Sequence, residues 1–269
     1  MTAFLAVSLH NIPAFEALAI ISVFGFCTCC FLNSYHGTWG NIKSHPRVFL
    51  LISLLGILGN DCFYLLAFRY APPLHVDLIC FLWPLVFLVT QWISKSKILY
   101  RELIAVLLAF AGIAFMLLAD GSESYSSGYL FGYSMSFLSV IFWTLYLFKS
   151  KQYGKAIHEI FVLVAFAGSI VFSFMHFFYE QSVMPNRYEV ISMFVIGSGG
   201  HCLAYIMWDY AVKFGQSSYI SILTYAAPIL STASLIYFGY ANTSMGFYVA
   251  IITLLLAIKV MGSGSAVKS

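Results

Sequence analysis

Nine long apolar stretches follow one another along this chain with little between them, and about 20 apolar residues is what a helix needs to cross the hydrocarbon of a bilayer. They run over Pro13–Leu32, Val48–Phe68, Leu74–Ile93, Ile98–Ala119, Gly128–Phe148, Ile157–Phe178, Val190–Val212, Ser217–Phe238 and Met245–Val260. A backbone in hydrocarbon has to satisfy its own hydrogen bonds, which confines such a chain to helices or a closed barrel. Barrel strands would be shorter and would alternate polar with apolar residues, and these stretches do not. The expected fold class is therefore all-α, a polytopic membrane helix bundle. Only 9% of the 269 residues are charged and 61% are hydrophobic, a balance foreign to a water-soluble domain of this size.

The formal net charge of +3 gives nucleic-acid binding no support, but its distribution carries information. Lys43, Arg47, Lys95, Lys97, Arg101, Lys149, Lys151, Lys155 and Lys213 gather on one set of alternate loops, with Lys259 and Lys268 toward the C-terminus. The other set has Arg69 and Arg187 and the acidic Asp120, Glu123, Glu180 and Glu189. The positive-inside rule makes the first set, and the C-terminus, cytoplasmic. The stub Met1–His10 is apolar but too short to cross at 1.5 Å per residue, and it reads as the outer end of a first helix whose beginning is absent. Ten helices would divide into two halves of five, and because five is odd the halves would insert with opposite orientation. The expected organisation is a first repeat over 1–120, a second over 121–262 and a flexible small-residue tail over 263–269.

Cys27, Cys29, Cys30, Cys62, Cys80 and Cys202 all fall inside apolar stretches, which argues against a disulfide framework. The Cys27, Cys29, Cys30 group has no nearby His or carboxylate and reads as small packing residues rather than a metal site. No cofactor is expected.

Two prolines lie well inside the apolar stretches, Pro84 and Pro228, and each removes a backbone hydrogen bond that lipid cannot replace. They stand at matching places. The block from Gly59 reads GNDCFYLLAFRYAPPLHVDLICFLWPLVFLV, and the block from Gly199 reads GGHCLAYIMWDYAVKFGQSSYISILTYAAPILSTA. Small residues, a polar residue and a Cys open each block, and a Pro interrupts its second helix. On these residues, from Ala67 to the Phe-Leu-Trp-Pro at Pro84 and from Tyr205 to the Tyr-Ala-Ala-Pro at Pro228, the chain resembles the drug/metabolite transporter superfamily. The likeness is to EamA-type permease domains, and nearest to aromatic amino acid exporters. The resemblance implies a ten-helix carrier of two inverted five-helix repeats in a bacterial inner membrane, exporting a small metabolite by alternating access. It also implies a small-molecule substrate, protons as a candidate coupling ion, and a monomer or weak homo-oligomer. Superfamily relatives that take up nucleotide-like metabolites such as S-adenosylmethionine supply an alternative substrate class.

Ionisable residues inside the spans are site candidates, because charge in hydrocarbon is expensive. Asp61 sits beside Asn60 in a helix otherwise rich in Leu, Ile, Phe and Tyr, with Tyr64 one turn on. It reads either as a substrate-amine or proton site or as a carboxylate satisfied by a neighbouring hydroxyl or amide. His201 holds the matching place after Gly199 and Gly200, and a His titrates near physiological pH, although a lone His in an apolar helix is commonly a packing residue. Asp209 is spaced to pair with Lys213 at i,i+4, and Glu16 and Asp77 lie near the outer ends of their spans. Trp83 and Tyr225 flank the two prolines, where a flat side chain can stack on an aromatic or heterocyclic solute. Trp143, Tyr146, Tyr205 and Trp208 are secondary candidates, with core packing as the competing role. The expected substrate-binding set is Asn60, Asp61, Tyr64, Trp83, Pro84, His201, Tyr205, Trp208, Tyr225 and Pro228.

The chain has no P-loop lysine motif, no His-Glu-x-x-His and no Cys pairs at zinc spacing. It reads as a secondary carrier and not as an enzyme. A membrane enzyme or scaffold that uses the same polar residues for catalysis or packing is the alternative from another class.

Overall fold

Helix covers most of the described residues in the apolar stretches in the computed structural model of the protein. The structure describes residues 9, 11–39, 45–95, 100–119, 127–153, 160–237 and 244–262. The stub at the N-terminus (Leu9 apart), the tail 263–269, and Lys43, Lys97, Asp120, Glu123, Lys155 and Lys268 lie outside them. The helices are α1 (Ala14–His36), α2 (Arg47–Tyr70), α3 (Pro73–Cys80), α4 (Trp83–Lys95), α5 (Tyr100–Ala119), α6 (Leu130–Tyr153), α7 (Ile160–Tyr179) and α8 (Arg187–Val195). A π-helical segment (Ile196–Ala204) joins α8 to α9 (Tyr205–Phe214), and α10 (Ser217–Thr224), α11 (Ala226–Tyr237) and α12 (Met245–Gly262) complete the chain. Among the described residues there is no strand. Among the described residues six helical stretches are long and apolar enough to cross a membrane: Ala14–His36, Arg47–Tyr70, His75–Ser94, Leu130–Tyr153, Ile160–Tyr179 and Arg187–Phe214. Ser217–Leu230 and Met245–Met261 are shorter apolar helices.

Contacts divide the chain into two units, Met1–Leu58 with Lys149–Phe214, and Gly59–Phe148 with Gly215–Ser269. In the first, α1 follows Pro13 and lacks a side-chain cap of its own. Its orphan N–H groups are taken instead by a carboxylate from beyond the end of α7: Glu180 accepts from Phe15 N at 3.0 Å and from Glu16 N at 3.1 Å. His176 holds Glu180 in turn, Nδ1 to Oε2 at 3.1 Å. α1 ends at Gly37, whose φ of 65° is the left-handed conformation glycine adopts without strain. α8 starts with a capping box, Asn186 accepting from Glu189 N at 3.0 Å while Glu189 Oε2 accepts from Asn186 N at 2.7 Å.

The expected Asp209–Lys213 pair is present at 2.5 Å, with both residues buried and with Ser150 Oγ donating to the same carboxylate. Replacing one member of a buried pair strands the other charge, so Asp209→Ala is expected to destabilise the protein by about 3–5 kcal/mol. Thermal unfolding in detergent measures it, and an unchanged midpoint would mean that the pair adds nothing.

In the second unit a core of Leu88, Trp92, Val106, Ile113, Ile222, Tyr225 and Ile229 draws on α4, α5, α10 and α11, and Ala250, Ala257 and Met261 bring in α12. Here both predicted interruptions occur, as turns of one or two residues just before the prolines. Phe81 and Leu82 form a turn between α3 and α4, and Tyr225 separates α10 from α11. A proline ring clashes with the carbonyl four residues back, whereas in the first turn of a new helix its missing N–H costs nothing. Pro84 and Pro228 sit second and third in their helices, and both are buried.

Candidate functional site

The glycine that opens the first repeated block sets the geometry of the second unit. A Cβ on Gly59 would lie 2.4 Å from Phe142 Cδ1, so the Phe142 ring of α6 packs directly on α2 at this glycine. Ser139, one turn before Phe142, is within reach of α2. Its Oγ donates to Asn60 Oδ1 at 2.9 Å, and Asn60 Nδ2 donates to Asp61 Oδ1 at 3.2 Å. One turn further along α2, Tyr64 Oη donates to Asp77 Oδ1 on α3 at 2.8 Å. Asn60, Asp61, Tyr64, Asp77 and Ser139 thus form a polar strip on α2, α3 and α6.

The strip leads into aromatic rings. Trp143 is one turn beyond Ser139 on α6 and meets Trp83, the first residue of α4, edge to face at 6.3 Å between centroids. Tyr146 lies 5.6 Å from Trp143 and Phe87 lies 6.4 Å from Trp83. Trp83 and Trp143 are half-buried, while Tyr146 is buried.

Tyr225 is placed differently from Trp83. It is 0% exposed, its ring packs 6.4 Å from Phe81 and 6.2 Å from Phe110, and its hydroxyl donates to Phe81 O at 3.0 Å. Ser221 Oγ, one turn earlier, donates to Pro84 O at 3.3 Å. The hydroxyls of one interrupted stretch therefore bind carbonyls at the break in the other, which is how the apolar interior absorbs backbone freed by the turn. In this conformation Tyr225 offers no open face.

The remaining sequence-derived candidates belong to the first unit. His201 lies in the π-helical segment with its ring stacked on Tyr205 at 5.4 Å and 16°. Tyr205 contacts Phe161 at 6.0 Å, and Trp208 is half-buried. π-Helical turns concentrate at functional positions, and this one has two unlike faces. Gly197 is pressed on α1, where a Cβ would lie 2.3 Å from Ile21 O, and Thr28 Oγ1 donates to Ser198 Oγ at 2.8 Å. Gly199 faces open space, with nothing within 4 Å of a Cβ placed there.

The structure thus brings Asn60, Asp61, Tyr64, Trp83 and Pro84 into one unit with Tyr225 and Pro228, and His201, Tyr205 and Trp208 into the other. Sequence reading missed Ser139, which carries no charge to mark it, and placed Asp77 near the outer end of its span, either as an interfacial residue or as one that attracts a cationic solute. Among the described residues no group of three or more His, Cys, Asp or Glu side chains is arranged to hold a metal ion.

No family model matches the chain. It is 25% identical over 241 residues to the aromatic amino acid exporter YddG of Ancylobacter novellus, covering 89% of this chain and 84% of that protein. It is 22% identical over 203 residues to the aromatic amino acid exporter YddG of Escherichia coli, covering 71% and 69%. A solved crystal structure shares the fold, with a TM-score of 0.92 over 100% of this chain and 94% of that one at 24% identity. The resemblance to drug/metabolite transporter-type permeases, close to aromatic amino acid exporters, therefore holds. With six apolar helices of spanning length, the chain is an integral, multi-pass membrane protein.

Proposed function

We propose that this chain is a secondary transporter that exports an amino acid with an aromatic side chain, or a related zwitterion, by alternating access. What supports the reading most is the second unit's juxtaposition of a polar strip with the Trp83–Trp143 pair beside the interrupted α3/α4, in a chain similar to two aromatic amino acid exporters. An aromatic zwitterion needs one polar contact region and one flat apolar one a few ångströms apart. Chemical conversion of the solute is not part of the proposal.

The finer architecture we propose is two inverted five-helix repeats, 1–120 and 121–262, in a bacterial inner membrane with the C-terminus in the cytoplasm. The transporter works as a monomer or weak homo-oligomer, with protons as the coupling ion. Asp61 is the residue that couples and His201 the second titratable group near a span centre. Asn60 positions Asp61, Trp83 contacts the solute within the second unit with Tyr64 beside it on the polar strip, and Tyr205 and Trp208 are the candidate contacts of the first unit. Pro84, Pro228 and Tyr225 maintain the interrupted helices.

A screen for ligand-induced thermal stabilisation of the purified protein tests the substrate class. Phenylalanine, tyrosine and tryptophan should raise the unfolding midpoint in a saturable way. Stabilisation by S-adenosylmethionine alone would move the substrate to the nucleotide-like class, and stabilisation by no solute would favour a scaffold.

Trp83→Ala is expected to weaken an aromatic ligand by about 1–3 kcal/mol, the worth of burying and stacking a large ring. The same variant should bind leucine nearly as before. Unaltered affinity for the aromatic ligand would assign Trp83 to packing against Trp143.

A further inference from the structure

The structure assigns to Asp77 the recognition of a substrate ammonium group, an inference that rests on the transporter reading and names the residue that selects for amines. Two carboxylates lie on the polar strip, and they are held differently. Asp61 is bound within the strip, receiving Asn60 Nδ2, which Ser139 fixes from α6. Asp77 receives one side-chain hydrogen bond, from Tyr64 Oη to Oδ1 at 2.8 Å, and forms no ion pair with a described residue. The described ion pairs belong to Glu16, Glu180 and Asp209, each with a His or Lys. Asp77 is half-buried, and a carboxylate at such a place in an apolar helix is stabilised when a cation comes to it. Tyr64 donates to one oxygen, which orients the group and leaves Oδ2 able to accept from a ligand.

Asp77 and Trp83 lie on α3 and α4 of one unit, six residues apart and joined by the turn at Phe81 and Leu82. An ammonium about 3 Å from the carboxylate leaves a ring, two or three bonds away, beside the Trp83–Trp143 pair. The other carboxylate of the strip, Asp61, has the same sign, so the strip favours a positive group, while His75, two residues before Asp77 on α3, is engaged by Tyr133 Oη at 2.7 Å. Tyr64 is a positioning residue and Asp77 the one that touches the ligand.

The experiment compares L-phenylalanine with 3-phenylpropanoate, which has the same ring and carboxylate and no ammonium, by calorimetric titration of the purified full chain. Wild type should bind L-phenylalanine on the order of tenfold to a hundredfold more tightly than 3-phenylpropanoate, the range of a charge-assisted hydrogen bond. Asp77→Asn keeps the shape and the acceptor for Tyr64 and should erase that preference, with 3-phenylpropanoate bound at least as well as before. Asp77→Glu, which restores the charge, should recover part of the preference, and Tyr64→Phe should reduce it a few-fold. Equal loss of both ligands in Asp77→Asn, or a preference that survives it, would overturn the assignment and leave the transporter reading standing. A wild type that binds neither compound would overturn the aromatic substrate itself, and the assignment with it.

Discussion

Gly197→Ala should be among the most damaging single substitutions in this protein, although it adds one methyl group. The added Cβ would lie 2.3 Å from Ile21 O and 2.8 Å from Phe24 Cβ on α1. The first of these neighbours is backbone, so relief requires α1 to move off the π-helical segment. That movement would disturb the Thr28–Ser198 hydrogen bond and the contact of Gly25 with Gly197 O. Overpacking of this kind costs about 1–3 kcal/mol where side chains can adjust, and more where backbone has to shift. We expect a loss of about 3 kcal/mol or more, read as a sharp fall in the unfolding midpoint and in the yield of monodisperse protein. Gly199→Ala, two residues along the same segment, meets nothing within 4 Å and should be tolerated. If both variants unfold alike, sensitivity would follow from glycine in the π turn itself and not from its seat on α1.

Asp61→Asn should abolish flux, or free it from the proton gradient, while leaving the fold intact. Asparagine has the size of aspartate and keeps an oxygen to accept Asn60 Nδ2, so the Ser139–Asn60 arrangement that ties α6 to α2 survives. Only the charge and its exchangeable proton are lost. The retained preference for amines, assigned above to Asp77, separates this variant from Asp77→Asn: binding persists and transport fails. Solute movement into vesicles under an imposed pH difference measures the effect, and flux that still follows that difference would remove Asp61 from coupling.

Much of the fold could be read locally. Apolar runs of spanning length gave the helices to within a few residues, the i,i+4 spacing of Asp209 and Lys213 gave their pair, and Pro84 and Pro228 located two interruptions. The turn falls two to three residues before each ring because the clash is with the preceding carbonyl, which sequence position alone does not display. What escaped is long-range. Glu180 caps a helix 165 residues earlier, and Ser139 meets Asn60, 79 residues away, beside the packing of Phe142 on Gly59. Asp77 lies near a span end by count, yet Tyr64 receives it from the neighbouring helix. The π-helical stretch left a trace in Gly-Ser-Gly-Gly from Gly197, which reads equally well as a small-residue packing face.

The central claim is movement of aromatic amino acids across a bilayer, and flux of labelled L-phenylalanine in vesicles reconstituted with the purified protein tests it most directly. Uptake should saturate, compete with unlabelled tryptophan and tyrosine, and in Asp61→Asn either fall to the protein-free level or lose its dependence on an imposed pH difference. Uptake that rises linearly with concentration and equals that of protein-free vesicles would contradict the account.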